Sequence, residues 1–583
     1  MTKPASLLFS FSLTSVLLVM LTLCPLKGQD FERIAPKTLP QQEGTATLPA
    51  APPQTAEAAS DEAVLVKSLK ALIFVGSPDK VRKEGVPGAQ GISAEGVPLL
   101  KKEEFTRIAS DYMGKPVSRA SLNKLTRDII LFYRKNDRPV VDVAVPEQDI
   151  TEGVVQYIVL EGRLGCVKTE GNKWFSSKTL IDEIDIKPGQ TVSARELTEN
   201  VNWLNGNPFR LVNAILTPGK EKGETDIVLK TKDRFPARFY AGYEDSGNDP
   251  TGDERIIAGM NWGDAFFLDQ QLNYQFTADP HCNKMTAHSG SWIVPLPWHH
   301  RLTSFGSYSE SRADMANPLF DLGGMSWQAS TRYSVPLPTE GPYSHEATAG
   351  FDFKQSNNNL DFGGAQVFDT TSDINQFMFG YISTLRDDWG STTFDFSLFY
   401  SPGGWTPRNR DFNFDAARQG AYAEYRYQKF VVQRVTKLPA DFTWILKGTG
   451  QFTDCNLLSS EQLGFGGYSS IRGYDEREVN GDEGYIINTE IRTPSVSLGQ
   501  VFGLEKAVDQ LQFLGFFDYG CAMNHELLPG EDPHIQLAGA GPGLRYTISP
   551  YCTVRFDYGW QLYDTTYNQR YNSRGHLGVV FSY

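Results

Sequence analysis

The last three-fifths of the chain, from about Ala237 to Tyr583, consists of segments of about ten residues in which apolar and polar side chains alternate. In one of them Ile487 and Ile491 fall on one face, and Glu490 and Arg492 fall on the other. A period of two residues is typical of a β-strand whose faces have different surroundings. A basic side chain at the middle of a bilayer costs roughly 2–4 kcal/mol, so we expect the charged faces to line the inside of a barrel.

Turn-forming residues separate about sixteen of these segments, an even number, as bacterial barrels require. Tight turns such as Asp387–Gly390 alternate with longer connections such as Asn357–Asp373 and Asp454–Gly484. Short turns on the periplasmic side and long loops outside are the asymmetry expected of outer-membrane barrels. We therefore predict a 16-stranded antiparallel transmembrane β-barrel over residues 236–583. A soluble edge strand could show the same alternation, but it would leave an exposed apolar row.

Two copies of one smaller motif precede the barrel, at residues 64–162 and 163–235. In each copy a strand is followed by two helical patterns and two more strands. The fold class is therefore α+β repeats followed by an all-β domain. Small sheets with open edges suit the addition of an extended peptide as a further strand. The pattern leaves open the alternative that these domains only space or brace the barrel.

The first 63 residues are not predicted to belong to either domain type. Residues 1–28 contain Lys3 and an apolar run from Leu7 to Cys24, which is typical of an export signal. Residues 29–63 are rich in Pro, Ala, Thr and Gln and are broken by Pro52 and Pro53. Such a composition predicts a disordered linker.

Composition and motifs exclude several classes of function. The net charge of −14 argues against a nucleic-acid partner, because phosphate contacts need basic clusters. The five cysteines after Cys24 have no close pairs, so neither a zinc site nor a disulfide framework is indicated. The sequence has no nucleotide loop, zinc-protease helix or serine elbow. We therefore predict a protein that is not an enzyme and that has no cofactor and no metal site.

Two motifs resemble those of a known family. They are the tetrad Ile471–Tyr474 and the segment Phe516–Gly520, and together they are similar to the outer-membrane transporters of two-partner secretion. This is the hemolysin secretion/activation family, within the superfamily of barrels that carry POTRA domains. The resemblance extends over about Val64 to Tyr583 and includes Pro146–Gly153 and Asn207–Val212 in the two small domains.

The resemblance implies roles for particular residues. In similar proteins a long loop folds back into the lumen, where the arginine at its tip meets acidic residues of the wall. Carried over by motif, the loop–barrel lock comprises Arg472, Gly473, Tyr474, Glu490 and Asp518. The matching fragments of the small domains imply that these domains capture substrate, and they point to Gln148, Asp149, Asn207 and Arg210.

The resemblance also implies a function. The expected activity is an outer-membrane pore that moves an unfolded, exported partner protein to the surface of a Gram-negative-type cell. The partner would be a large, β-rich polypeptide, the barrel would contact outer-membrane lipid, and the small domains would lie in the periplasm. An alternative within membranes is a barrel-assembly insertase, and one from another class is a barrel enzyme. Similar transporters often carry an N-terminal helix in the pore, but residues 29–63 lack an amphipathic helical pattern.

Overall fold

The structure is a computed structural model that describes residues 31–42, 44–47, 63–248, 251–313, 320–362, 365–504, 508–527, 532–565 and 568–583. The predicted export signal at residues 1–28 lies outside these ranges. The chain divides into two compact units, residues 1–38 with 237–583 and residues 39–236. Among the described residues no helix combines the length and apolar character needed to cross a membrane.

The first small domain is a four-stranded sheet covered by two helices. The sheet has the order β4-β3-β7-β6, and a separate two-stranded pair joins β2 to β5. Its elements are β2 (Val64–Val66), β3 (Ala71–Val75), β4 (Gly91–Glu95), α2 (Glu103–Ser110), β5 (Val117–Ser118), α3 (Arg119–Lys135), β6 (Val141–Ala144) and β7 (Val154–Glu161). The sequence pattern does not predict β4, whose five residues include the small residues Gly91, Ser93 and Ala94.

The second small domain repeats the arrangement. Its sheet has the order β1-β9-β10-β8, in which β10 runs parallel to β8 and antiparallel to β9. Its elements are β1 (Ala46–Thr47), β8 (Arg163–Glu170), α4 (Ser177–Asp182), α5 (Ala194–Leu204), β9 (Arg210–Pro218) and β10 (Glu224–Asp233). The predicted pair of α+β domains is confirmed.

The core of the first domain forms where helix α3 meets the sheet. Serine side chains begin the helix, because the amide of Ser121 donates to the Ser118 hydroxyl and the amide of Ser118 donates to the Ser121 hydroxyl. Further along, Ile129 and Phe132 are buried against β3 and α2. Phe105 of α2 is completely buried beside Phe132, with ring centroids 5.2 Å apart. Burial of these apolar side chains stabilises the domain.

Sixteen antiparallel strands form the closed barrel. They are β11 (Ala237–Asn248), β12 (Gly252–Ala265), β13 (Gln270–Ala278), β14 (Met285–Pro295), β15 (Arg301–Ala313), β16 (Phe320–Glu340), β17 (Tyr343–Phe362), β18 (Ala365–Asp387), β19 (Gly390–Pro402), β20 (Glu424–Lys437), β21 (Thr443–Thr453), β24 (Glu483–Arg492), β25 (Asp509–Met523), β26 (His534–Ile548), β27 (Cys552–Gln561) and β28 (Ser573–Ser582). Between β21 and β24 the chain forms a separate hairpin of β22 (Leu463–Phe465) and β23 (Val479–Gly481). The predicted strand number is confirmed.

The alternation of side chains matches a membrane barrel. On β24 and β25 the outward residues Ile491 and Phe513 are half exposed, whereas Asp518 is completely buried inside. Strands β17 and β18 are longer than the sequence predicts. They continue through most of residues 357–373, where the turn-forming composition predicts a loop. Their 20 and 23 residues exceed the 9–11 that a bilayer needs, so this hairpin extends beyond the membrane.

Part of the predicted linker is ordered, so the expectation of disorder over 29–63 is wrong for its described residues. Helix α1 (Phe31–Ile34) lies inside the barrel beside β14 and β15. Strand β1 pairs with β9, where Ala46 lies opposite Ala214. Helix α1 has a single turn, which is too short for a hydrophobic period to show in the sequence. Residues 48–62 lie outside the described part of the chain.

We expect Phe105→Ala to destabilise residues 39–236 by about 3–5 kcal/mol, because it removes a fully buried ring from the first domain. Urea unfolding of this fragment, followed by circular dichroism, measures the change. Leu131→Ala is the control, since Leu131 is largely exposed on α3 and its truncation should cost less than about 0.5 kcal/mol. Equal losses for the two variants would contradict this description of the core.

Candidate functional site: the inward loop of the barrel

The connection between β21 and β24, residues 454–482, folds into the barrel lumen. We call it the inward loop, and we call residues 471–474 its tip. Ile471, Arg472 and Tyr474 are each at most 5% exposed. The small hairpin of β22 and β23 gives the loop a fixed shape, and its side chains Leu463, Phe465 and Val479 are buried against β24 to β26. The loop is therefore part of the packed interior.

Arg472 is bound by carboxylates from two wall strands. Its Nε lies 2.8 Å from Asp518 Oδ2 and its Nη2 lies 3.0 Å from Asp518 Oδ1, which is a two-point contact. Its Nη1 donates to Glu490 Oε2 at 2.8 Å. The guanidinium also lies 3.7 Å from the centroid of the Phe516 ring. The structure thus brings together Arg472, Glu490 and Asp518, in the geometry that suits paired N–H donors.

The charges around Arg472 balance. Asp557 lies 3.6 Å from its Nη1, and Asp557 accepts two hydrogen bonds from Arg545 at 3.0 and 2.9 Å. Arg492 donates to Glu490 at 2.5 Å. Three arginines and three carboxylates therefore form one network. Arg472 and the three carboxylates are buried, whereas Arg492 and Arg545 are partly exposed. The inward loop supplies one of the three cations. Without Arg472 the wall would keep an uncompensated negative charge away from water, which is costly.

The backbone of the tip is held by side chains of the last two strands. The amide of Gly473 donates to His576 Nε2 at 3.0 Å, and its carbonyl accepts from Gln561 Nε2 at 2.7 Å. Tyr474 is fully buried and donates to the carbonyl of Ala538 at 3.1 Å. The predicted site residues Gly473 and Tyr474 thus lie against the wall beside Arg472.

Glycines on three neighbouring strands leave room for the tip. A Cβ on Gly539 would overlap the carbonyl oxygen of Arg472. One on Gly559 would lie 2.7 Å from the Gly473 nitrogen, and one on Gly520 would lie 2.6 Å from Ile471 Cδ1. We call Gly520, Gly539 and Gly559 the glycine track. The loop reaches the wall because its tip lies directly on the bare backbone of β25, β26 and β27.

Helix α1 occupies another part of the lumen. Ile34 packs on Met285 and Ala287, and its carbonyl accepts a hydrogen bond of 3.2 Å from Gln275. Glu32 lies 3.6 Å from Lys429 on β20. Helix α1, the inward loop and the wall line a remaining cavity of about 650 Å³. Two segments of the chain therefore fill much of the lumen.

The four predicted capture residues of the small domains do not lie together. Gln148 is half-buried and bonds to the backbone of β7, since its side chain accepts from the Gln156 amide at 2.7 Å and donates to the Gln156 carbonyl at 2.8 Å. Asp149 is exposed. Its pKa is lowered, first by the hydrogen bond from the Thr151 backbone N–H and second by the hydrogen bond from the Thr151 hydroxyl. Gln148 therefore satisfies backbone groups of Gln156, in the part of β7 that β6 does not cover.

Asn207 and Arg210 are buried in the second domain. Arg210 is 1% exposed, donates from Nε to the Leu204 carbonyl at 2.8 Å and stacks over Phe175. The side chain of Asn207 accepts from the Phe209 amide at 3.2 Å. At these positions both side chains stabilise the fold of the domain.

Sequence reasoning missed three kinds of residue in the site. Glu461 and Asp482 of the inward loop carry buried carboxylates, and Arg418 binds Asp482 through both oxygens. The glycine track and His576 were also not singled out. The sequence offered one usable signal for the glycines, because residues 539, 541 and 543 place glycine at alternate positions of β26.

The barrel, the paired small domains and the inward loop agree with a family match. The family model of the haemolysin secretion/activation proteins ShlB/FhaC/HecB matches residues 223–546, more than half of the chain. The chain belongs to this family. The ShlB-type POTRA domain matches residues 89–162, within the first small domain.

Relatives and solved structures agree with this assignment. The chain is 24% identical over 468 residues to the heme/hemopexin transporter protein HuxB of Haemophilus influenzae strain 86-028NP, covering 76% of this chain and 78% of HuxB. It is 21% identical over 472 residues to the outer membrane transporter CdiB of Dickeya dadantii strain 3937, covering 80% and 81%. The structure of CdiB from Escherichia coli has the same fold, with a TM-score of 0.73 at 17% identity over 91% of this chain and 92% of that one.

Membership places the protein in the outer membrane. Its relatives are transporters of two-partner secretion, so this chain is an outer-membrane secretion transporter that acts with a secreted partner. Its POTRA domains lie in the periplasm.

We expect Gly539→Ala to displace the tip, because the added Cβ would overlap the backbone of Arg472. Trypsin digestion of intact outer membranes should then cleave the inward loop several-fold faster than in the wild type, as measured by gel electrophoresis. Gly515→Ala on β25 is the matched control, since no atom lies within 4 Å of the position of its Cβ. Equal cleavage rates in Gly539→Ala and the wild type would show that the loop does not depend on the glycine track.

Proposed function

We propose that the barrel exports an extended partner polypeptide through its lumen, and that the inward loop closes this route until the loop–barrel lock is released. The observation that carries the proposal is the position of the buried Arg472, which completes a network of three positive and three negative charges whose carboxylates are all buried. A contact that balances buried charge holds the loop firmly while both partners remain. The loop therefore has a defined closed position.

The lumen suits an extended chain more than a folded domain. Its wall carries charged and amide side chains such as Arg332, Lys354 and Gln275, which can bond to the backbone groups of a passing polypeptide. An extended chain brings unpaired N–H and C=O groups that must be satisfied. With the inward loop and α1 in place, the cavity that they line together with the wall has a volume of about 650 Å³. In the proposed mechanism both segments move when a chain passes.

We propose that the partner is large and rich in β-structure. A long β-rich chain can stay extended in transit and then fold outside, and folding outside would supply the direction of transport without ATP. In this mechanism the barrel itself performs no chemistry.

The POTRA domains are proposed to capture the partner by strand addition at β4 of the first domain. The Gly91 amide donates to Lys70 and the Glu95 carbonyl accepts from Gly76, so both residues bond inward. Because bonding direction alternates along a strand, the N–H and C=O groups of Ile92 and Ala94 point to the outer edge. No strand pairs on that edge within the described residues. An extended peptide can therefore add there.

We expect Ala94→Pro to reduce capture, since proline removes an outward N–H but is tolerated on an edge strand. Residues 39–236, immobilised as bait, should retain unfolded polypeptides from periplasmic extract in the wild type and several-fold less in the variant. Ala94→Ser keeps the N–H and is the control. Equal retention by the proline variant, with an unchanged circular dichroism spectrum, would remove β4 as the capture edge.

We expect Arg472→Ala to abolish or severely reduce export. Without its closed position the loop has no fixed place in the lumen, where it would obstruct a passing chain, and the wall retains an unpaired carboxylate. Comparison of the surface and culture-medium proteins of cells with each variant measures export, and membrane fractionation confirms that the barrel is inserted. Arg426→Ala is the control, since its ion pair with Asp454 is exposed and worth less than about 1 kcal/mol.

Reversal of both charges, with Arg472→Asp and Asp518→Arg, should restore export only in part. The contacts of Arg472 with Glu490 and Phe516 cannot be reproduced from the other side. Normal export by Arg472→Ala would contradict the proposed function.

A further inference from the structure

A buried carboxylate of the inward loop is bound at a different part of the lumen wall from the tip. Glu461 lies near the start of the loop and is 3% exposed. It accepts hydrogen bonds from Lys354 Nζ at 2.8 Å, Tyr427 Oη at 2.9 Å and Gln376 Nε2 at 3.1 Å. We call these contacts the root contact. They come from β17, β18 and β20.

The wall around the root contact is itself ordered by hydrogen bonds. Gln376 is completely buried, donates to Asp352 at 3.1 Å and accepts from Tyr425 at 2.8 Å. Asp352 pairs with Arg332 of β16 at 2.6 Å. These bonds fix the orientation of Gln376 and leave its amide group directed at Glu461. Gln376 is therefore oriented by hydrogen bonds that do not involve the loop.

The tip and the start of the loop contact different strands of the wall, and the two contacts carry opposite charges. At the tip, the loop supplies the cation Arg472 to carboxylates of β24, β25 and β27. At the root, the loop supplies the anion Glu461 to the cation Lys354 of β17. The contacts share no residue, so loss of one leaves the other intact.

We propose that Glu461 is a second positioning residue for transport. Its root contact holds the start of the inward loop to β17, β18 and β20, so the loop must be released at two separate places of opposite charge before a chain can pass. This inference rests on the proposed function, in which the loop closes the lumen. Release of the tip alone would leave the loop attached at its root.

Paired cysteine probes can separate the two contacts in the full-length protein in outer membranes. In a background with the five mature cysteines replaced by serine, Ser460→Cys reports on the root and Ser470→Cys reports on the tip. Ser460 precedes Glu461 in the chain, and Ser470 lies two residues before Arg472. The side chains of serine and cysteine have similar sizes, so each replacement changes the packing little. The rate of maleimide labelling measures how often each position becomes accessible.

We expect Glu461→Gln to raise labelling at 460 several-fold and to leave labelling at 470 unchanged. Arg472→Ala should raise labelling at 470 several-fold and leave labelling at 460 unchanged. Asp454→Asn is the matched control, because Asp454 belongs to the same loop but its ion pair is exposed. Tyr427→Phe removes a single hydrogen bond of the root contact, and it should raise labelling at 460 by a smaller factor even if Glu461→Gln does not fold.

Two results would overturn the inference. One is unchanged labelling at 460 in both Glu461→Gln and Tyr427→Phe, with a barrel that still resists heating in detergent. The other is an equal rise at 460 and 470 in Glu461→Gln, which would mean that the loop is held as a single unit.

Export of the partner, measured in the same strains, distinguishes a failure of the root contact from a failure of the proposed function. Glu461→Gln should lower export, because a loop without its root contact has no fixed place in the lumen and would obstruct a passing chain. The double variant Lys354→Glu with Glu461→Lys should recover part of the lost export. Normal export by Arg472→Ala would defeat the proposed function whatever the labelling shows. Reduced export by Arg472→Ala with normal export by Glu461→Gln would defeat only the role of Glu461 in transport.

Discussion

The ion pair between Arg472 and Asp518 determines what the rest of the barrel must provide. Asp518 and Asp557 are completely buried, so the wall holds negative charge away from water. Such charge persists in a folded protein only when it is paired and hydrogen-bonded. Arg545 and Arg492 compensate part of it, and the loop must bring the third cation. The closed position of the loop thus follows from the charges of the wall.

Close contact between backbones makes this pairing possible. A guanidinium can reach both oxygens of Asp518 only if the tip lies flat on β25 to β27, and the glycine track provides that space. His576 and Gln561 then bind the amide and the carbonyl of Gly473, so no polar group of that residue is left unpaired in the interior. Shape and charge therefore select the same position for the tip.

The sequence predicted the features that depend on local pattern. The period of two identified the strands, and it also placed Glu490 and Asp518 on the inner face, where the structure has them. The root contact could not be predicted, because nothing local to Glu461 identifies Lys354 or Tyr427 as its partners. Helix α1 could not be predicted, because a single turn carries no periodicity. The polar, turn-forming composition of residues 357–373 predicts a loop, but a strand that extends outside the membrane has a similar composition.

The POTRA domains show how parts of their sheets are protected from strand addition. In the first domain Gln148 binds the backbone of Gln156, in the part of β7 that β6 does not cover. In the second domain Asn205 binds the backbone of Val212 on β9 in the same way, at 2.7 and 2.9 Å. Strand β1 covers the next part of β9, where Gly44 fits because a Cβ would overlap Asn205. These contacts satisfy groups that would otherwise bind any extended chain. The outer edge of β4 has no paired strand among the described residues, which is why the proposed capture of an extended partner uses β4.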